Sequence, residues 1–205
     1  MEPVIIKIDK KPFMVGDVFV DTVKVTELYF EKLIEATQRS RSGVKENNEI
    51  LRNLQREKLR RQCEFFDKAG KRIEVTDIAM TQMPAVYARK LVKAVDSFER
   101  PWGKVTSEGD GVSTSIVFEL GTPLPTGSDG KTITGLEFLA ETLGDIEDVL
   151  YLDHSFDQAL ALIKHVARPI NIDIPLQSLP SWAVALITQS DGLAIAQQVL
   201  PSFLE

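Results

Sequence analysis

Lys131 to Leu150 reads KTITGLEFLAETLGDIEDVL. Its first half has the composition of a strand. Thr132, Ile133 and Thr134 include β-branched residues, and Leu136 and Phe138 alternate with small or polar neighbours. Its second half starts a helix. Thr142 can cap orphan amides, and Asp145 puts negative charge into the first turn, where the helix dipole favours it. Upstream, Gly127-Ser128-Asp129-Gly130 is a turn, and Ile116 to Leu120 is a further strand. The unit is strand, turn, strand, helix.

The same order recurs near the N-terminus. Val4 to Ile8 reads as a strand, followed by Pro12 and a Gly16-Asp17 turn. Lys24 to Phe30 then echoes Thr132 to Phe138 as apolar-Thr-x-Leu-x-Phe. Downstream, Asp77-Ile78 leads to Met83-Pro84, and Asp173-Ile174 leads to Leu179-Pro180. These echoes predict an internal duplication. The fold class expected is α+β: two related units, each an antiparallel β-hairpin packed with helices, at 1–100 and 115–205, joined by a linker at 101–114. Leu28, Phe30, Leu136 and Phe138 are expected to point from the two hairpins into the helices.

With 205 residues, 43% hydrophobic and 26% charged, the chain can bury a core. The single Cys63 excludes an internal disulfide framework and fits a reducing compartment. No apolar run approaches the roughly 20 residues of a membrane span, and no signal-peptide pattern is read. The expectation is a cytoplasmic protein.

Between the echoes the pattern is helical from Leu28 and polar over Gln38–Asn48. It is helical again from Glu49 to Phe66, with Leu51, Leu54 and Leu59 in a narrow seam interrupted by Lys58 and Gln62. Lys68-Ala69-Gly70-Lys71 reads as that helix's stop. Pro84 starts a helix to about Phe98. In the second half, helices are expected at 143–152, 155–166, 182–188 and 193–200, with a break near Asp191-Gly192 and an apolar tail that docks.

Chemistry is sparse. His154 and His165 have no partner Cys or His at ligand spacing, so neither metal nor cofactor is expected. No nucleophile elbow, Walker loop or dinucleotide fingerprint appears. Glu141, Asp145, Glu147 and Asp148 read as a solvated acidic face. No catalytic residue is assigned, and the chain reads as a non-enzyme.

One charge feature stands out. Residues 37–72 hold 11 Lys/Arg against 5 Asp/Glu, within a chain of net charge -6. The spacing between the echoes is longer in the first half, so this segment, about 39–72, is read as a basic helical insertion. Arg52, Arg56, Lys58, Arg60 and Arg61 are the candidate partner-binding residues. They suit an acidic surface on a partner or on another copy. Nucleic acid is the alternative ligand, disfavoured by the lack of interleaved aromatics.

Ile116-Val117-Phe118-Glu119-Leu120, Pro123, Asp129-Gly130-Lys131, Ile133-Thr134-Gly135-Leu136 and Thr142-Leu143-Gly144-Asp145 together resemble the phage tail assembly chaperones of the tail protein E type. Ile170 to Phe203 is similar to that family's later part. The resemblance spans about 115–204. A two-unit chain with a basic segment is also similar to the baseplate hub assembly proteins of contractile-tailed phages. The resemblance implies a non-enzymatic helper or minor component of tail or baseplate building. Its partners would be tape measure or hub proteins, and its place the host cytoplasm or the finished virion.

Overall fold

The computed structural model describes residues 2–108, 114–126, 130–170 and 178–204. The chain runs β1 (Val4–Lys7), β2 (Met14–Val15), β3 (Val18–Phe19), β4 (Thr22–Val25), α1 (Phe30–Arg41), α2 (Asn47–Gln62), β5 (Cys63–Phe66), β6 (Arg72–Ile73), α3 (Asp77–Thr81) and α4 (Ala85–Ser97). It continues with β7 (Lys104–Glu108), β8 (Thr114–Pro125), β9 (Thr132–Ala140), α5 (Leu143–Leu150), α6 (Ser155–His165), β10 (Ala167–Ile170), α7 (Ser181–Val184), α8 (Gln189–Gln198) and α9 (Pro201–Leu204). The α+β class is as expected. Residues 1–28 and 35–98 form one compact unit, and 29–34 with 99–205 the other.

In the first unit β1-β4-β5-β6 make an antiparallel sheet. Val4, Val25 and Cys63 stand side by side, as do Ile6, Val23 and Phe65. Alternation puts these on one face, over Tyr87, Leu91 and Val95 of α4. β2 and β3 pair with each other as an arm continuing the β1–β4 hairpin. The buried Tyr87 hydroxyl accepts hydrogen bonds from the amides of Lys10 and Lys11, fixing the base of that arm.

In the second unit the order is β10-β9-β8-β7, again antiparallel. Leu136 and Phe138 are fully buried, as expected, and face a core that includes Leu162, Ile163, Ile195 and Val199. The pairing of β8 with β9 shifts register between Glu119 and Leu124. That irregularity leaves amides without ladder partners. Asp191, buried in the first turn of α8, takes those of Gly121 at 2.7 Å and Thr122 at 3.1 Å. Asp191-Gly192 is therefore not a helix break. Gly192 is required because a Cβ there would lie 2.1 Å from the Phe30 ring. Leu200 and Phe203 are buried in this core, so the apolar tail docks.

The structure corrects several expectations. Cys63–Phe66 is strand, not helix, because its alternating residues pair with Val25 and Val23. Asp67 to Lys71 is then a hairpin turn. The Asp67 carboxylate accepts from the amides of Ala69 and Lys71, and Gly70 takes φ 80°. Residues 104–108, placed in the linker, are β7 of the second sheet. Asp173-Ile174, Gly127 to Asp129 and Gly109-Asp110-Gly111 lie outside the described residues.

The duplication is not confirmed in the register read from sequence. Phe138 is in a strand, but Phe30 opens α1 and belongs to the same core as Phe138. Leu28 is buried but precedes the helix and follows β4. α2, read as a basic insertion, stands between α1 and β5 in the chain. It delivers the chain into β5 as α6 delivers it into β10. The extra length lies in longer helices: α1 and α2 have 12 and 16 residues, α5 and α6 have 8 and 11.

Candidate functional site

α2 carries the candidate residues because its sequence is a strong helix former with Glu49 in the first turn and Arg60 and Arg61 in the last, both favourable to the dipole. Positions 52, 56 and 60 are one turn apart and share a face. Arg52 is exposed, and its Nε donates to the Asn48 carbonyl of its own helix at 3.3 Å. Arg56 is exposed, with no ion pair or hydrogen bond among the described residues. Leu51, expected in the apolar seam, is 63% exposed beside them.

The other three candidates are placed differently. Lys58 is buried, so it cannot present charge to a partner. Together with the fully buried Gln62 it occupies the inward stripe. Sequence reasoning took these two as interruptions of the seam, yet their long stems cover apolar surface. Arg61 is mostly buried and held by Glu35 at 3.1 Å and Glu57 at 3.4 Å. Arg60 is half exposed but shared between Glu57 at 3.3 Å and Asp77 at 3.2 Å. The five-residue basic patch thus reduces to Arg52 and Arg56. Exposed pairs such as Arg60–Asp77 contribute about 0–1 kcal/mol each, but they do neutralise the local field.

Beside Arg60 lies a groove of about 740 Å³, framed by β5, β6 and α3. Phe65, Ile73, Val75 and Met80 give it an apolar lining, and Arg60, Glu64, Arg72, Glu74 and Asp77 line it with charge. Arg72 pairs with Glu64 at 3.2 Å. Read from sequence, Cys63–Phe66 belonged to a helix, so the hairpin that frames this groove was missed. The signal that would have shown the hairpin is Asp67-x-x-Gly70, a turn sequence between Phe65-Phe66 and Ile73. The groove has no assembled acid–base or nucleophilic machinery. Its acids and bases are largely tied to one another, and burial pushes the Cys63 thiol up to about 12, far from a reactive thiolate.

The histidines do not converge with other ligands. His154 stands at the N-cap of α6 and His165 is exposed at its end. Among the described residues there is no group of three or more His, Cys, Asp or Glu able to hold a metal. Of the acidic cluster, Asp145 has a structural task. Its carboxylate accepts from the amides of Glu141 and Thr142 and from the Thr142 hydroxyl. The bonds from Thr142, first the backbone one, hold its carboxyl below the usual range. No described helix is long and apolar enough to cross a membrane. Compared with known proteins, the chain matches no family model, no curated protein and no solved structure.

Proposed function

We propose that this chain is a non-enzymatic assembly factor of a bacteriophage tail or baseplate, acting by contact with tape measure or hub proteins. The resemblance of residues 115–204 to the tail protein E type supports the family. The residues that carry it form local structure in keeping with it. Ile116–Leu120 lies in β8, Ile133–Phe138 in β9, and Thr142 with Asp145 opens α5. The observation that carries the mode of action is the pair Arg52 and Arg56. Two exposed arginines one turn apart, beside exposed Leu51, suit an acidic partner with an apolar contact. The same reading puts the protein in the host cytoplasm while tails are built.

The test is co-expression with the tape measure and hub proteins of the same phage. Arg52→Glu with Arg56→Glu should leave the circular dichroism spectrum unchanged and release the partner, and wild-type capture should weaken with salt. Capture unchanged by the double substitution at every salt concentration would make this face solvent-facing only. Steeply salt-dependent binding of the wild type to DNA or RNA, without tail proteins, would favour the nucleic-acid reading. Mass spectrometry of purified particles separates a chaperone, which leaves, from a minor component, which stays.

A further inference from the structure

A sheet edge with free backbone groups is a template for another strand, and proteins usually close such edges. The second sheet has partners on both edges among the described residues. On β7, the Val105 amide donates to Gln198 Oε1 at 3.2 Å, and Gln198 Nε2 donates to the Gly103 carbonyl at 3.2 Å. On β10, the Leu179 amide donates to the Ala167 carbonyl at 2.9 Å, and Pro169 has no amide proton to offer. In the first sheet β6 is only two residues long. β1 is different. The Ile8 amide donates to the Asp21 carbonyl, and alternation then turns the amides and carbonyls of Ile6 and Val4 toward β4. Those of Ile5 and Lys7 point outward. Among the described residues no hydrogen bond reaches them. Ile5 is 56% exposed, and Lys7 is exposed on the same face.

We propose that this edge pairs, antiparallel, with β1 of a second copy of the chain, across a two-fold axis at Ile6. The occupant follows from the sequence of the edge itself. Outward residues must face outward residues, which leaves three central registers. Lys7 against Lys7 sets like charges opposite each other. Ile5 against Ile5 brings Lys7 against Pro3, which has no amide to donate. Ile5 against Lys7 uses both outward amides and both outward carbonyls of each copy. It also brings acidic Glu2 toward basic Lys10 of the other copy, and Asp9 toward uncharged Pro3. The edge is thus complementary to its own reverse, the condition for an isologous contact. The result is one sheet running through both copies.

Sedimentation equilibrium of the full chain and three variants tests this. The wild type should dimerise reversibly. Ile5→Lys sets two ammonium groups opposite each other at both ends of the pair and should weaken dimerisation roughly tenfold or more. Ile5→Glu sets a carboxylate opposite Lys7, and should keep the dimer while making it salt-sensitive. Ile5→Pro removes only an outward amide, so the fold should persist and the dimer be lost. A wild type still monomeric at roughly 1 mM would overturn the proposal. So would equal dissociation constants for the Lys and Glu variants, since a contact elsewhere would not distinguish them.

Discussion

The two sheets place matching triplets in the same register. Val4, Val25 and Cys63 of the first correspond to Ile116, Phe138 and Ala167 of the second. Ile6, Val23 and Phe65 correspond to Phe118, Leu136 and Pro169. In the first sheet the large ring is on the third strand, at Phe65. In the second the rings are on the first two, at Phe118 and Phe138. A strand layer can therefore be filled by different distributions of bulk, provided volume and alternation are kept. The sheets diverge where the frame ends. The fourth strand adds beside β5 in one and beside β8 in the other. The second sheet also has a clamp, Asp191, and contacts to both edge strands, while the outward groups of Ile5 and Lys7 on β1 meet none among the described residues.

The largest expected effects test which core each aromatic serves. Phe30→Ala and Phe138→Ala should each cost about 3–5 kcal/mol in chemical denaturation, because both side chains are fully buried in one core. Val25→Ala, at the position matching Phe138 in the first sheet, removes less bulk and should cost about 2 kcal/mol. A neutral Phe30→Ala would take that ring out of the second unit's core and return it to the register suggested by the sequence echo.

A smaller loss is expected from Asp191→Ala, which has no counterpart in the first sheet. Two amides lose their acceptor, and because both bonds are only partly buried and water can replace it, the loss should be about 1–3 kcal/mol in all. Hydrogen exchange should speed up first at Gly121 and Thr122. Unchanged protection there would mean that the irregular segment of β8 is held by other means.

The smallest effect concerns Cys63, which occupies the position of Ala167. Burial raises its thiol from the ordinary 9.0 to about 12. Below pH 9.0 the thiol is protonated in both states and contributes no slope. Above it the unfolded chain loses the proton first, so stability falls as the pH climbs toward 12. Cys63→Ala makes the first sheet resemble the second and should remove that component. The measurement is the difference between wild type and variant urea midpoints at pH 8 and pH 10. An unchanged difference would place the thiol in contact with water.

Much of the second unit was legible in its residues. β8, β9 and α5 follow from local alternation, turn residues and a cap within about 35 positions, so the signals that form them are neighbours in the chain. The first unit was less legible. Cys63-Glu64-Phe65-Phe66 has no local mark that separates a strand from the end of a long helix, and only pairing with β4 decides it. The candidate site suffered similarly. Arg52, Arg56, Lys58, Arg60 and Arg61 look alike as a basic run, and burial and ion pairing alone tell them apart.

By itself, then, the sequence determined an α+β chain able to bury a core, the strands within β8 and β9 and the start of α5, the buried Leu136 and Phe138, and a helix rich in arginine. These depend on periodicity and turn chemistry, which act over a few residues. Tertiary structure alone decided which core took Phe30, that Asp191 clamps β8, and that Arg52 and Arg56 make no ion pair among the described residues. Each of those outcomes joins residues far apart in the chain. The energy that fixes them comes from burial and hydrogen bonding available only once the sheets have formed.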